Sequence, residues 1–395
     1  MWTYPYKTKP YEHQREALRL SANHMNYAYF MEMGTGKTKA TIDNIGYLNL
    51  RKQLKAALII APKSVYSIWE KELNVHLPNM IKYSCHIWKQ TTKKEIKAFD
   101  KFDGFKFFMI NVEALSTKNG LKACEEFLRS HPNNITVIDE STTIKNPKAK
   151  RTKNILRLRY LAKVRRILTG SPVTKSPLDL YTQCAFLDPR LLGYKSYYAF
   201  RNRFCVFDEV YVAQGETINV PVGYQHLAEL EQKLKDFSFR VTKDECLDIP
   251  DKIYQIRYVK LEGEQKRAYE SLKIRAISVH NKLTELLRLH QLANGHCKDD
   301  SGGMLQFENP KLKAMLEILE ETDKKVIIWA TYIHNINEIN KALSEKYGSD
   351  AVVSMYGATS VDDRNLAVER FQNDPKCRFF VANPVTGGYG LTLTA

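Results

Sequence analysis

Tyr27-Ala-Tyr-Phe-Met-Glu-Met-Gly-Thr-Gly-Lys-Thr38 is the stretch from which the fold can be read. The apolar run Tyr27–Phe30 predicts a strand, and the glycines predict a tight turn. From Lys37 a helix is expected, carrying Ile42, Ile45 and Leu48 on one side. Strand, glycine turn, then Lys-Thr at a helix start is the context a P-loop requires. Glycines let backbone N–H groups turn toward phosphate oxygens, and the helix N-terminus adds favourable partial charge. Gly34, Thr35 and Gly36 are therefore expected to cradle phosphates, with Lys37 neutralising the β- and γ-phosphates and Thr38 holding Mg²⁺. The full G-x-x-x-x-G-K-[ST] form is interrupted, because Met31 stands at its first glycine position. A plain glycine turn is the competing reading.

Downstream, Ile135–Ile138 is an apolar strand ending in Asp139-Glu140, the arrangement of a Walker B site. At the C-terminal end of a strand a carboxylate faces the place where open α/β sheets bind their ligands. Asp139 is expected to bind Mg²⁺, mainly through water, and Glu140 to orient and deprotonate an attacking water. A helix N-cap acid pair would look similar, but paired with the P-loop the two motifs point to ATP hydrolysis. Further short apolar runs, Ala57–Ile60, Phe107–Asn111, Thr136–Ile138 and Arg166–Leu168, alternate with helical stretches. That is the pattern of a parallel sheet covered on both faces.

Beyond about residue 188 the pattern loosens into aromatic-rich, helical sequence. A β-like stretch, Ile253–Leu261, opens a second unit, followed by a helical segment Gly263–Gly295 and a polar turn Asp299–Gly303. Strands are expected again at Lys325–Ala330, Ala351–Ser354 and Arg378–Ala382, each between helices. The expected fold is α/β with two parallel-sheet lobes. The first spans residues 1–247 with a helical insertion at about 188–235; the second spans 248–395 with one at about 263–300, its sheet incomplete.

The chain has 395 residues, with 60 Lys+Arg against 44 Asp+Glu and a net charge of +16. An aromatic content of 11% supplies core material, which excludes general disorder. No apolar run approaches the ~18 residues that span a bilayer, and no signal peptide is visible at the start. A soluble protein without a membrane partner is expected, cytoplasmic in a bacterial or phage-infected cell, or nuclear in a eukaryote. The seven cysteines include no C-x-x-C pair and read as reduced thiols; His290, His296 and Cys297 lack a second ligand pair for a metal. The positive charge suggests a polyanionic partner. Ser141–Leu178 holds eleven Lys/Arg and no acid, while Ile155, Leu158 and Leu161 mark a packed helix face. DNA phosphates and plain solvent are equally good readings of that basic run.

Taken together, the motifs resemble those of the Swi/Snf-type ATPases of helicase superfamily 2, over nearly the whole chain and in the family's order. Glu32–Thr38 is similar to motif I, with Met31 in place of the family's Asp, and Tyr11-Glu-His-Gln14 to the Q motif. Leu58–Val65 with Trp69–Glu72 resembles motif Ia and its following helix, and Phe108–Leu115 resembles motif Ib. Asp139–Thr142 occupies motif II and Leu168–Pro172 motif III; Phe239–Asp244 through Pro250 resembles the connector between lobes. Val326–Thr331 fits motif IV and Asn383–Ala395 motif V.

This resemblance implies two RecA-like lobes closing around ATP, with Gln14 reading the adenine edge. Thr169, Ser171, Gly388 and Gly390 are the positions it implies for coupling the phosphate state to the other lobe. Lys63, Ser64, Lys145 and Thr386 are those expected to touch DNA. The implied activity is an ATP-driven translocase on duplex DNA that does not separate strands, serving replication, recombination or repair, of the kind carried by phages and bacteria. An RNA helicase of the same superfamily and a non-translocating ATP-gated clamp are the alternatives. Motif VI, with its arginine fingers, does not follow motif V, so a truncated piece of a longer protein is expected.

Overall fold

The computed structural model describes residues 4–89, 93–211, 217–248, 250–278, 282–298, 303–387 and 393. The chain divides into two compact units, Met1–Pro250 and Asp251–Ala395, so the boundary falls just after the expected residue 247.

The first unit is built on strands β1 (Asn26–Met31), β2 (Ala56–Ala61), β3 (Tyr83–Ile87), β4 (Phe105–Asn111), β5 (Asn134–Asp139) and β6 (Val164–Leu168). A hairpin, β7 (Cys205–Tyr211) and β8 (Thr217–Tyr224), precedes β9 (Ser238–Val241). Seven of these form one sheet in the order β3-β4-β2-β5-β6-β1-β9, with every pairing parallel. The β2 sequence, Ala-Ala-Leu-Ile-Ile-Ala, is buried throughout. Its alternate side chains serve opposite faces: Leu58 and Ile60 join one core, Ala57 and Ile59 the other. The second core is closed by α1 (Glu12–Ser21), α2 (Lys37–Leu50) and α3 (Tyr66–His76) through Ala17, Ile42, Ile45, Trp69 and Leu73.

Two strands of this sheet lie outside the sequence expectation. The β3 run, Tyr-Ser-Cys-His-Ile, is a half-buried edge strand whose polar alternation hides it, and β9 is only four residues long. The insertion expected to be helical holds helices Tyr197–Phe204 and Leu227–Lys235, but between them stands the antiparallel β7–β8 hairpin. Val206, Val210, Ile218 and Val222 supply its β-branched pattern.

In the second unit β10 (His296–Lys298) and β11 (Met304–Gln306) form a small hairpin. The strands β12 (Val326–Trp329), β13 (Val352–Met355) and β14 (Phe379–Ala382) form a three-stranded parallel sheet in the order β12-β14-β13, as the alternation predicts. Helices Pro310–Glu320, Ile333–Tyr347 and Val361–Asn373 intervene. The region 263–300 holds helices Gly263–Ser278 and Lys282–Leu292. The expected strand Ile253–Leu261 is not one: the segment is irregular and Ile253, Tyr254, Ile256 and Tyr258 are at least 77% exposed. Alternation alone does not make a strand where no neighbouring backbone pairs with it. Residues 299–302, within the expected polar turn, lie outside the described set. Among the described residues no helix is long and apolar enough to cross a membrane.

Candidate nucleotide site

The P-loop connects β1 to α2 at the C-terminal edge of the sheet. Gly34 and Gly36 take φ of +86° and +85°, a region where a side chain is strained. A Cβ on Gly36 would also stand 2.2 Å from Gln14 Nε2. Gly36 is the N-cap of α2 and supplies no side-chain cap, and no acid occupies the first turn. The first N–H groups of this 14-residue helix are thus open to an anion. Thr35 is turned inward instead: its hydroxyl donates to Glu32 O (2.8 Å).

Gln14 is buried, with its amide engaged at both ends. Nε2 donates to Thr35 O (3.2 Å), and Oε1 accepts from Tyr11 N (3.1 Å). His13 Nε2 lies 2.7 Å from the same Thr35 carbonyl. As placed, the Q-motif residue braces the P-loop.

Asp139 ends β5, two strands from β1, and is buried. Its Oδ2 accepts from the Trp69 indole N–H (2.9 Å) and its Oδ1 from Glu140 N (2.9 Å). Glu140 follows in a left-handed conformation, φ 50° and ψ 59°, unusual for a non-glycine residue and typical of functional turns. Burial pushes the pKa of both carboxyls upward. For Asp139 the Trp69 bond, the Lys37 charge and the Glu140 N–H oppose that; for Glu140 the Asp139 charge adds to it and Lys37 opposes. Burial lowers the Lys37 pKa, against the pull of Glu140, Asp139 and Glu32. The expected Lys37, Asp139 and Glu140 are therefore one electrostatic cluster. Thr38 sits on the first turn of α2, and among the described residues its hydroxyl makes no hydrogen bond.

The motif III residues lie at the end of β6, between β5 and β1. Thr169 is buried, its N–H donating to Tyr29 O (3.1 Å) and its hydroxyl accepting from Ser171 N (3.2 Å). The link between motifs II and III is a residue the sequence did not flag. Gln183 Oε1 accepts from Ser141 Oγ (2.7 Å), while Nε2 donates to Pro172 O (2.8 Å). Trp69, which the sequence placed only in the helix after motif Ia, meets the site as well: its bulk is core, and a buried indole N–H needs an acceptor, which proves to be Asp139.

The candidate DNA positions fall in both units. Lys63 is exposed on a 3₁₀ turn, Lys63–Val65, that also carries the Ser64 backbone. Lys145 is tied to Thr174 and lies 3.7 Å from Asp179. Thr386 belongs to the second unit, its N–H donating to Asn383 O (3.0 Å). Gly388 and Gly390 lie outside the described residues. Of the eleven basic residues of 141–178, Arg166 is fully buried and withdrawn from any partner, whereas Lys148, Lys150, Lys153, Arg157, Lys163 and Lys175 are exposed. Among the described residues no three or more His, Cys, Asp and Glu side chains are grouped as a metal site; His290 meets Tyr332 Oη at 2.7 Å.

The chain is 26% identical to the putative ATP-dependent helicase/translocase YwqA of Bacillus subtilis, across 92% of this chain and 39% of that protein. It is 22% identical to the ATP-dependent helicase FUN30 of Saccharomyces cerevisiae, across 95% and 40%. It is 23% identical to the human DNA annealing helicase and endonuclease ZRANB3, across 92% and 32%. The chain therefore spans two fifths or less of these relatives. The solved Sulfolobus solfataricus SWI2/SNF2 ATPase core in complex with dsDNA is 25% identical, across 97% of this chain and 80% of that one, with a TM-score of 0.48. The family model of the SNF2-related domain matches residues 13–323, and with most of its length inside that match the chain belongs to the SNF2-related domain family.

Proposed function

We propose that this chain is the ATP-hydrolysing part of a helicase-like motor that moves along duplex DNA, acting in replication, recombination or repair. The observation that carries the reading is the single charged cluster of Lys37, Asp139 and Glu140 beside an open helix N-terminus. In this reading the α2 N-terminus and the backbone around Gly34–Gly36 bind the phosphates, and Lys37 holds their charge. Glu140, with its pKa raised by burial, takes the proton of the attacking water at its carboxylate. Trp69 fixes the rotamer of Asp139, and Gln183 ties the loop after Glu140 to the loop after Thr169.

Mg²⁺ fits the oxygen donors at hand, the Asp139 carboxylate and the Thr38 hydroxyl. Bound there, it would supply charge neutralisation at the β- and γ-phosphates. DNA as partner is supported by the names of the relatives and by the exposed lysines and arginines around helix Lys150–Leu158. ATP turnover with and without duplex DNA tests the proposal, with Glu140→Gln as the blank. DNA-stimulated turnover that falls by at least about 100-fold in the variant is expected. Turnover stimulated by RNA and not by DNA would replace the substrate class, and absence of ATP binding would remove the reading altogether.

A further inference from the structure

A second lysine overlooks the P-loop. Lys243 opens the short helix Lys243–Cys246 directly after β9, the strand that pairs with the P-loop strand β1. Its main chain is held from three sides. Glu32 N donates to Val241 O (3.0 Å), Lys243 N donates to Glu32 Oε2 (2.9 Å), and the Thr242 N–H and hydroxyl both donate to Glu245 Oε2 (2.7 and 2.8 Å). From that anchored backbone the side chain runs back across the glycine turn. Its Cε lies 3.2 Å, and its Nζ 3.6 Å, from where a Cβ on Gly34 would stand. Among the described residues no carboxylate lies within ion-pair distance of that ammonium. Lys243 is also near enough to weigh on Lys37 as a like charge. Two cations held on one glycine cradle, only one of them facing the Asp139–Glu140 pair, call for a ligand with several negative charges.

We propose that Lys243 is a second phosphate ligand of the nucleotide site, its ammonium contacting the terminal phosphates of ATP or ADP above Gly34. The inference rests on the nucleotide reading given above. It assigns the segment that leads to the division at Pro250/Asp251 a direct contact with bound nucleotide. Glu32 gains a role as well, since its carboxylate sets the position of Lys243 through the main chain, which a side-chain substitution at 243 leaves intact.

The test is calorimetric binding of ATP, ADP and adenosine to the whole chain in Mg²⁺, for the parent, Lys243→Gln, Lys243→Arg and Lys37→Ala. Losing a charge-assisted hydrogen bond to phosphate should weaken ATP and ADP about tenfold in Lys243→Gln and leave adenosine unchanged. Lys243→Arg, which keeps the charge, should recover most of the affinity. Parental ATP affinity in Lys243→Gln alongside a loss in Lys37→Ala would overturn the inference while leaving the nucleotide site standing. Equal weakening of ATP and adenosine would overturn it too, since it would mark a structural role. Failure of the parent chain to bind ATP would sink the nucleotide reading and the inference together.

Discussion

Glu140 concentrates the tension of the site. Its backbone is left-handed, its carboxyl is half-buried beside Asp139, and its pKa lies above the ordinary carboxylate value. A carboxyl whose folded-state pKa is raised stabilises the fold fully only below its unfolded pKa. That contribution is lost as pH rises through the folded value, so at neutral pH the ionised Glu140 is a net cost. Glu140→Gln should therefore raise stability by about 1 kcal/mol at pH 7, with the gain vanishing toward pH 4, as thermal melts across that range would record. In the parent chain the acid limb of ATP turnover should lie above the ordinary carboxylate range for the same reason. A melt that drops on substitution would show that Glu140 holds its turn together, not that it strains it. That Lys37, Asp139 and Glu140 fall near one another was readable in the sequence, because a parallel sheet brings the ends of its strands to one edge. The bonds made by Trp69, Gln183 and the Lys243 main chain were not readable, because each partner lies far along the chain: Asp139, Ser141 and Glu32 respectively.

At the scale of elements, β6 shows why charge in a sequence is a poor guide to where it ends up. The strand contributes Arg166 to the interior, where the guanidinium donates to Asn44 Oδ1 and to the carbonyls of Ser21, His24, Met25 and Arg165. It thereby ties β6 to the end of α1, the turn before β1, and α2. The planar fork is what satisfies so many acceptors at once, and a lysine cannot reproduce it. Arg166→Lys is expected to cost about 2 kcal/mol, seen as a lower urea midpoint with an unchanged slope. Strands β1, β2 and β4 were legible because each holds an unbroken apolar run, Tyr27–Phe30, Ala57–Ile60 and Phe107–Ile110. The edge strand β3 was not, since its exposed side breaks the run, and the β7–β8 hairpin was missed because its β-branched residues sit between helices. The opposite error arose at Ile253–Leu261, where a strand-like alternation finds no partner.

The whole molecule is two contact units joined through an exposed, irregular segment that carries large apolar side chains. Brief proteolysis should cut first between Asp251 and Leu261, leaving a fragment that ends near residue 250, detectable by mass spectrometry. First cleavage within β1 to β6 would contradict the division. The order of the seven-stranded sheet has a further consequence. The strand that carries the P-loop, β1, is flanked by β6 and β9, so its neighbours come from residues 164–168 and 238–241. On a ribosome β1 thus emerges well before either of the strands that enclose it. Until residues 164–168 are translated both edges of the P-loop strand are open, and until 238–241 follow one still is, so a nascent chain must be shielded over that interval by something other than its own nucleotide.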